Sequence, residues 1–150
     1  MSQDDLRITL LLDSSALREF ASTSAENAVV ELIGSALESE NVYIGASPVS
    51  LTEAANGLKP PDLVRLLELI THTPQVKPLM LRTDQVVASA RHAAHYQCSA
   101  ELAHILLLSG EYDDADVVTY SGRQYEGVVD ADMVLDLSDQ DDSGDPYRLS

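Results

Sequence analysis

The run Arg7-Ile-Thr-Leu-Leu-Leu-Asp13 constrains the fold more than any other segment. It is apolar on both faces, whereas a strand with one face in water alternates apolar and polar residues. Such a run reads as a buried strand of a parallel sheet, covered by helices on both sides. Its apolar stretch, Ile8 to Leu12, is far too short to span a membrane. It also lacks the basic leader and small-residue cleavage site of a signal peptide.

Helical and strand patterns alternate after it. Ser14 and Ser15 suit the N-cap of a short helix over residues 16–21, and Ser24 opens a second helix to about Glu38. That helix carries Val29, Val30, Ile33 and Leu37 at helical spacing. Residues 41–46 read as a strand. Ser47-Pro48 opens the next helix, with Ser50 or a neighbour as its cap and Glu53 in an early turn. Gly57 and Pro60-Pro61 separate it from an amphipathic helix, Asp62 to Thr71, bearing Leu63, Leu66, Leu67 and Ile70. A weak strand over 76–81 is interrupted by Pro78. Helices follow over 83–96, with Ala and Val on one face, and over 99–109. Strands over 115–120 and 133–137, joined through a further helix, complete the pattern. The expected class is α/β, a three-layer sandwich whose mostly parallel sheet is flanked by helices. Residues 1–137 form one domain on this reading, and the acidic segment 138–150 is a mobile tail.

Charge narrows the function classes. The chain of 150 residues carries 25 acids and 9 bases, a net charge of −16. Residues 1–110 hold 13 acids and 7 bases, and residues 111–150 hold 12 and 2, so the excess is concentrated in the last quarter. This argues against a basic groove that grips nucleic acid by bulk electrostatics. The single cysteine, Cys98, cannot form an internal disulfide and reads as a buried thiol. A soluble, cytoplasmic protein is expected.

Ligands of open parallel sheets bind beyond the carboxyl ends of the strands. Asp13 directly follows the first strand, and Glu53 lies in the helix after the second. Glu101 starts the helix 99–109, while Thr119 and Ser121 end a later strand. Four segments could thus bring oxygen ligands to one crevice. Clustered carboxylates repel unless they share a proton or a divalent cation, and hard oxygen donors suit Mg²⁺ or Mn²⁺. Such an ion can activate water against a phosphodiester. Taken singly, each acid also has a plain structural role: a strand-end cap at Asp13, a solvated helix face at Glu53, a helix start at Glu101.

Leu11-Leu-Asp-Ser-Ser-Ala-Leu17 resembles the opening motif of PIN domains, particularly the VapC-type toxins of toxin–antitoxin pairs. Ile44-Gly-Ala-Ser-Pro-Val-Ser-Leu-Thr-Glu53 is similar to that family's second motif. Glu101-Leu-Ala-His104 resembles its third, and Val118-Thr119-Tyr120-Ser121 its fourth. Order and spacing hold over roughly residues 7–137. The resemblance implies a divalent-metal-dependent ribonuclease, with Asp13, Glu53 and Glu101 as catalytic metal ligands for Mg²⁺ or Mn²⁺. Ser15 would orient Asp13 or a bound water, with Thr119 and Ser121 in support. It further implies an RNA substrate, a small antitoxin partner and pairing as a homodimer. Among Arg7, Arg18, Lys59, Arg82, Arg91 and Arg123, the last is best placed to meet RNA.

Two positions depart from the family pattern. Glu101 is one methylene longer than the usual aspartate, and Ser121 replaces a carboxylate with a neutral hydroxyl. With the net charge of −16, they support an alternative: a catalytically degenerate PIN-like domain that binds a protein partner or regulates. Asp113, Asp114 and Asp116 precede their strand and read as a solvated turn. His104 reads as a packed histidine, and His92 and His95 as surface or packing residues. Tyr96, Tyr112, Tyr120 and Tyr125 are not interleaved with bases, so no stacking platform for nucleic acid is indicated.

Overall fold

In a computed structural model describing residues 7–22 and 27–138, the apolar run near the start is the central strand, β1 (Ile8–Leu12), of a five-stranded sheet. β2 (Tyr43–Ala46) and then β3 (Val76–Pro78) lie on one side of it. β4 (Asp116–Thr119) and then β5 (Val134–Asp136) lie on the other. Every neighbouring pair is parallel. Successive strands therefore step outward from β1 one way and then the other, which puts the topological switch point between β1 and β4.

Helices cover both faces. α1 (Ser14–Ser22), α2 (Ala28–Leu37), α3 (Pro48–Ala55) and α4 (Pro60–His72) bury Leu17, Val29, Ile33, Ala54 and Leu66 against Leu10, Leu12 and Ile44. On the opposite face, α6 (Ala100–Glu111) packs Leu102, Ile105 and Leu108 against Ile8 and Leu11. α5 (Thr83–Tyr96) lies against α6. Ile8 and Leu10 would share a face in a regular strand. They face opposite cores because the β1–β2 register shifts between them, where Thr9 Oγ1 donates to the Tyr43 carbonyl.

The three-layer α/β sandwich is as expected, with differences in detail. The strands 115–120 and 133–137 are joined by two 3-10 turns, Gly122–Tyr125 and Ala131–Met133, in place of a helix. Gly127 adopts a φ of 74°, a conformation no L-residue sustains inside an α-helix. The second helix begins after Asn27, whose side chain accepts from the Val30 amide, and the proposed start at Ser24 lies outside the described residues. Ser47 rather than Ser50 caps α3, because its hydroxyl reaches the Val49 amide while Ser50 is buried within the helix. The strand expected over 76–81 pairs only through Pro78; it is an edge strand, where a missing N–H donor is tolerated. Cys98 is half-buried. Among the described residues, no helix is long and apolar enough to cross a membrane. The acidic segment from 139 onward lies outside the described residues.

Candidate functional site

Asp13 leaves the carboxyl end of β1 at the switch point and is fully buried. Its backbone carbonyl accepts from the Leu17 amide and its Oδ1 from the Ala16 amide at 3.0 Å, so it caps α1. Oδ1 also accepts the Ser15 hydroxyl at 2.6 Å. Oδ2 accepts the Tyr125 phenol at 2.8 Å and the Gln124 side-chain amide at 3.3 Å. A carboxylate offers about four lone-pair directions, and here donors from α1 and from the 3-10 turn fill them all.

A hydroxyl chain ties this cap to β4. Since Ser15 gives its proton to Asp13, Thr119 is the donor in the 3.2 Å contact between their hydroxyls. Ser15 Oγ also accepts the Tyr120 amide at 2.8 Å, and Thr119 Oγ1 accepts the Ser121 amide at 2.9 Å. The end of β4 is thereby fastened to the start of α1. Burial, then the adjacent Asp13 charge, push the Tyr125 phenol far above its ordinary pKa, so it remains a donor.

Glu101 lies in the first turn of α6, behind the Ser99 cap. One of its oxygens accepts the Ser14 amide at 2.6 Å and the other the Ser14 hydroxyl at 2.8 Å. The side chain thus bridges α6 to the N-terminus of α1, where an anion is electrostatically favoured. Glu53 is placed differently. It is exposed on α3, and its backbone carbonyl, not its carboxylate, accepts from Arg18 at 2.6 Å. Ser121 and Arg123 are exposed, while Thr119 is buried. The fold therefore brings Asp13, Ser15, Thr119 and Glu101 around the start of α1, and none of the hydrogen bonds among them reaches the Glu53 carboxylate.

As arranged, these donors do not fit a divalent cation. Asp13 has no free lone pair, each Glu101 oxygen already accepts one Ser14 donor, and Ser121 supplies no charge. Among the described residues, no three His, Cys, Asp or Glu side chains gather as a metal-holding group. The partners the sequence did not point to are Gln124 and Tyr125; Ser14, a helix-start hydroxyl in the sequence, bonds Glu101 instead of capping the helix. Gln124 and Tyr125 lie more than a hundred positions from Asp13, and no periodicity links them to it.

His104 is buried in α6 as a packing residue, with Nδ1 2.6 Å from the Ser47 hydroxyl. Burial lowers its pKa, against an opposing pull from Glu111. The imidazole is accordingly held neutral.

Fold and site together define an all-parallel α/β sandwich with a sealed aspartate at its switch point. No protein-family model matches the chain, and no curated protein matches it.

Proposed function

We propose that this chain is a catalytically degenerate PIN-like domain that works by binding a partner protein rather than by cutting RNA. The observation that carries this reading is the saturated Asp13 carboxylate, whose four donors all come from the chain itself. A catalytic metal ligand needs an accessible lone pair, and a buried, fully bonded carboxylate instead holds elements together. The exposure of Glu53, the tethering of Glu101 and the neutral Ser121 support the same reading.

The metal-dependent ribonuclease is the second reading, favoured by the order of the four PIN-like motifs and by Asp13 and Glu101 flanking Ser14. It requires Gln124 and Tyr125 to leave Asp13 before an ion could bind. One experiment separates the two. Wild type, Asp13→Asn and Glu53→Gln are incubated with single-stranded and structured RNA, with Mn²⁺ or with chelator. The binding reading expects the same background from all three, with or without metal. Mn²⁺-dependent cleavage that is lost in either variant overturns it. Glu53→Gln keeps the assay informative if Asp13→Asn fails to fold, because Glu53 is exposed.

A further inference from the structure

The crossover from β4 to β5 borders an open cavity of about 360 Å³ on the α6 side of the sheet edge. Its apolar lining comes from Tyr125, Val129, Ala131 and Val134. Its acids are Glu126 and Asp136, with Arg123 as the one base. The Asp136 carboxylate is fixed in place by the Gly122 amide at 3.2 Å and by the Ser138 amide and hydroxyl at 3.0 and 2.7 Å. Gly122 is required there, since a Cβ would run into that carboxylate. Burial pushes the Asp136 pKa up, but the Ser138 and Gly122 hydrogen bonds outweigh it and hold the group ionised.

Two further features say what would occupy this cavity. First, residues 122–136 hold four acids and one base, so the local field is negative. Second, β5 is an edge strand, and among the described residues no strand pairs with its outer side. The Leu137 amide turns inward to the Thr119 carbonyl. By alternation, the Asp136 amide and carbonyl turn outward while its side chain lines the cavity. An extended segment added at this edge would therefore place alternate side chains over the cavity. A lysine or arginine fits such a site, its aliphatic stem on the valines and its cation at the carboxylates. The chain's own C-terminal segment is a poor occupant, because Asp139, Asp141, Asp142 and Asp145 would meet like charge. RNA would meet the same repulsion.

We propose that the cavity beside β5 is the docking site for an extended, basic segment of a partner protein, which adds a strand to the sheet edge and seats one Lys or Arg side chain against Asp136 and Glu126. This rests on the binding reading above, yet its failure leaves that reading standing, because the RNA assay reports on Asp13 and Glu53 and not on the β5 edge.

The test titrates the ¹⁵N-labelled full chain with a capped hexapeptide of alternating arginine and leucine, at roughly 0.15 M salt to screen diffuse attraction. A glutamate–leucine hexapeptide and an oligouridylate serve as comparison ligands. Ala131→Phe fills the cavity from an exposed position, and Glu126→Lys reverses charge at its rim. The expected result is saturable shifts confined to residues 122–138 with the arginine peptide only, and affinity about tenfold weaker in each variant. Shifts scattered over other acidic surfaces, unchanged affinity in both variants, no saturation, or preferential RNA binding at these residues would each overturn the proposal.

Discussion

Asp13 is a buried charge that the fold tolerates because four donors surround it, and each donor is a point of vulnerability. Tyr125→Phe keeps the ring and removes one donor, so it should destabilise the chain by about 1.5–3 kcal/mol, read from urea unfolding at neutral pH. The same contact sets a pH dependence. Burial and the Asp13 charge raise the folded-state pKa of Tyr125 above the ordinary 10.0. The folded chain then holds this proton more tightly than the unfolded one, so the associated stability is intact below about pH 10 and falls as pH rises beyond it. Tyr125→Phe should flatten that alkaline loss; equal losses in both proteins would assign it elsewhere. His104 gives the opposite sign. Its folded pKa lies below the ordinary 6.5, chiefly through burial, so its contribution is present above that pH and is lost as pH falls. His104→Gln should therefore show a shallower loss of stability than wild type between about pH 6.5 and 5, by the same unfolding measurement. At this scale, Asp13 and Ser15 were legible in the sequence because a strand end followed by helix-start hydroxyls is a local pattern. Tyr125 was not, because its contact depends on how a distant crossover folds back over β1.

Among the elements, strands and helices were legible where periodicity and caps act locally. Ile8 to Leu12 read as a buried parallel strand because helices cover both of its faces, and α5 matches its expected span. The β4–β5 crossover, expected to be helical, forms two 3-10 turns instead. Gly122 and Gly127 interrupt it, and Tyr125 is drawn inward to Asp13 instead of continuing a helical face. The Ala and Val face of α5 also has an unexpected orientation: Val86 and Val87 are 50% and 57% exposed while Gln85 and Ser89 are buried. Polar contacts explain part of this, since Gln85 donates to Glu111 at 2.9 Å and its carbonyl caps the Arg82 amide. Close packing gives a testable contrast between two glycines. In β2, a Cβ on Gly45 would collide with Leu79 and press on Ile8 and Leu11, so Gly45→Ala should cost about 1–3 kcal/mol. In α2, Gly34 has nothing within 4 Å of such a Cβ, so Gly34→Ala should stabilise by about 0.5–1 kcal/mol. Thermal unfolding of the pair checks both signs.

For the whole molecule, the net charge of −16 sets a cost that no single contact reveals. Only two ion pairs are formed among the described residues, both by Arg82, so most acids there face water without a cationic partner. Mutual repulsion among them favours any expanded state, and added salt should relieve it as the screening length falls from about 30 Å at 0.01 M to about 3 Å at 1 M. Relief of about 1 kcal/mol corresponds to roughly 2–4 °C in melting temperature for a chain of this size. General salt effects on apolar burial could imitate this rise, so a charge variant is needed to assign it. Asp113 and Asp114 are exposed in the turn before β4, away from both Asp13 and the β5 cavity. Changing both to Lys moves the net charge of −16 four units toward neutrality. If repulsion governs, the double variant melts higher than wild type at low salt and gains less from added sodium chloride. Parallel salt responses in the two proteins would mean that the acidic surface carries no folding cost.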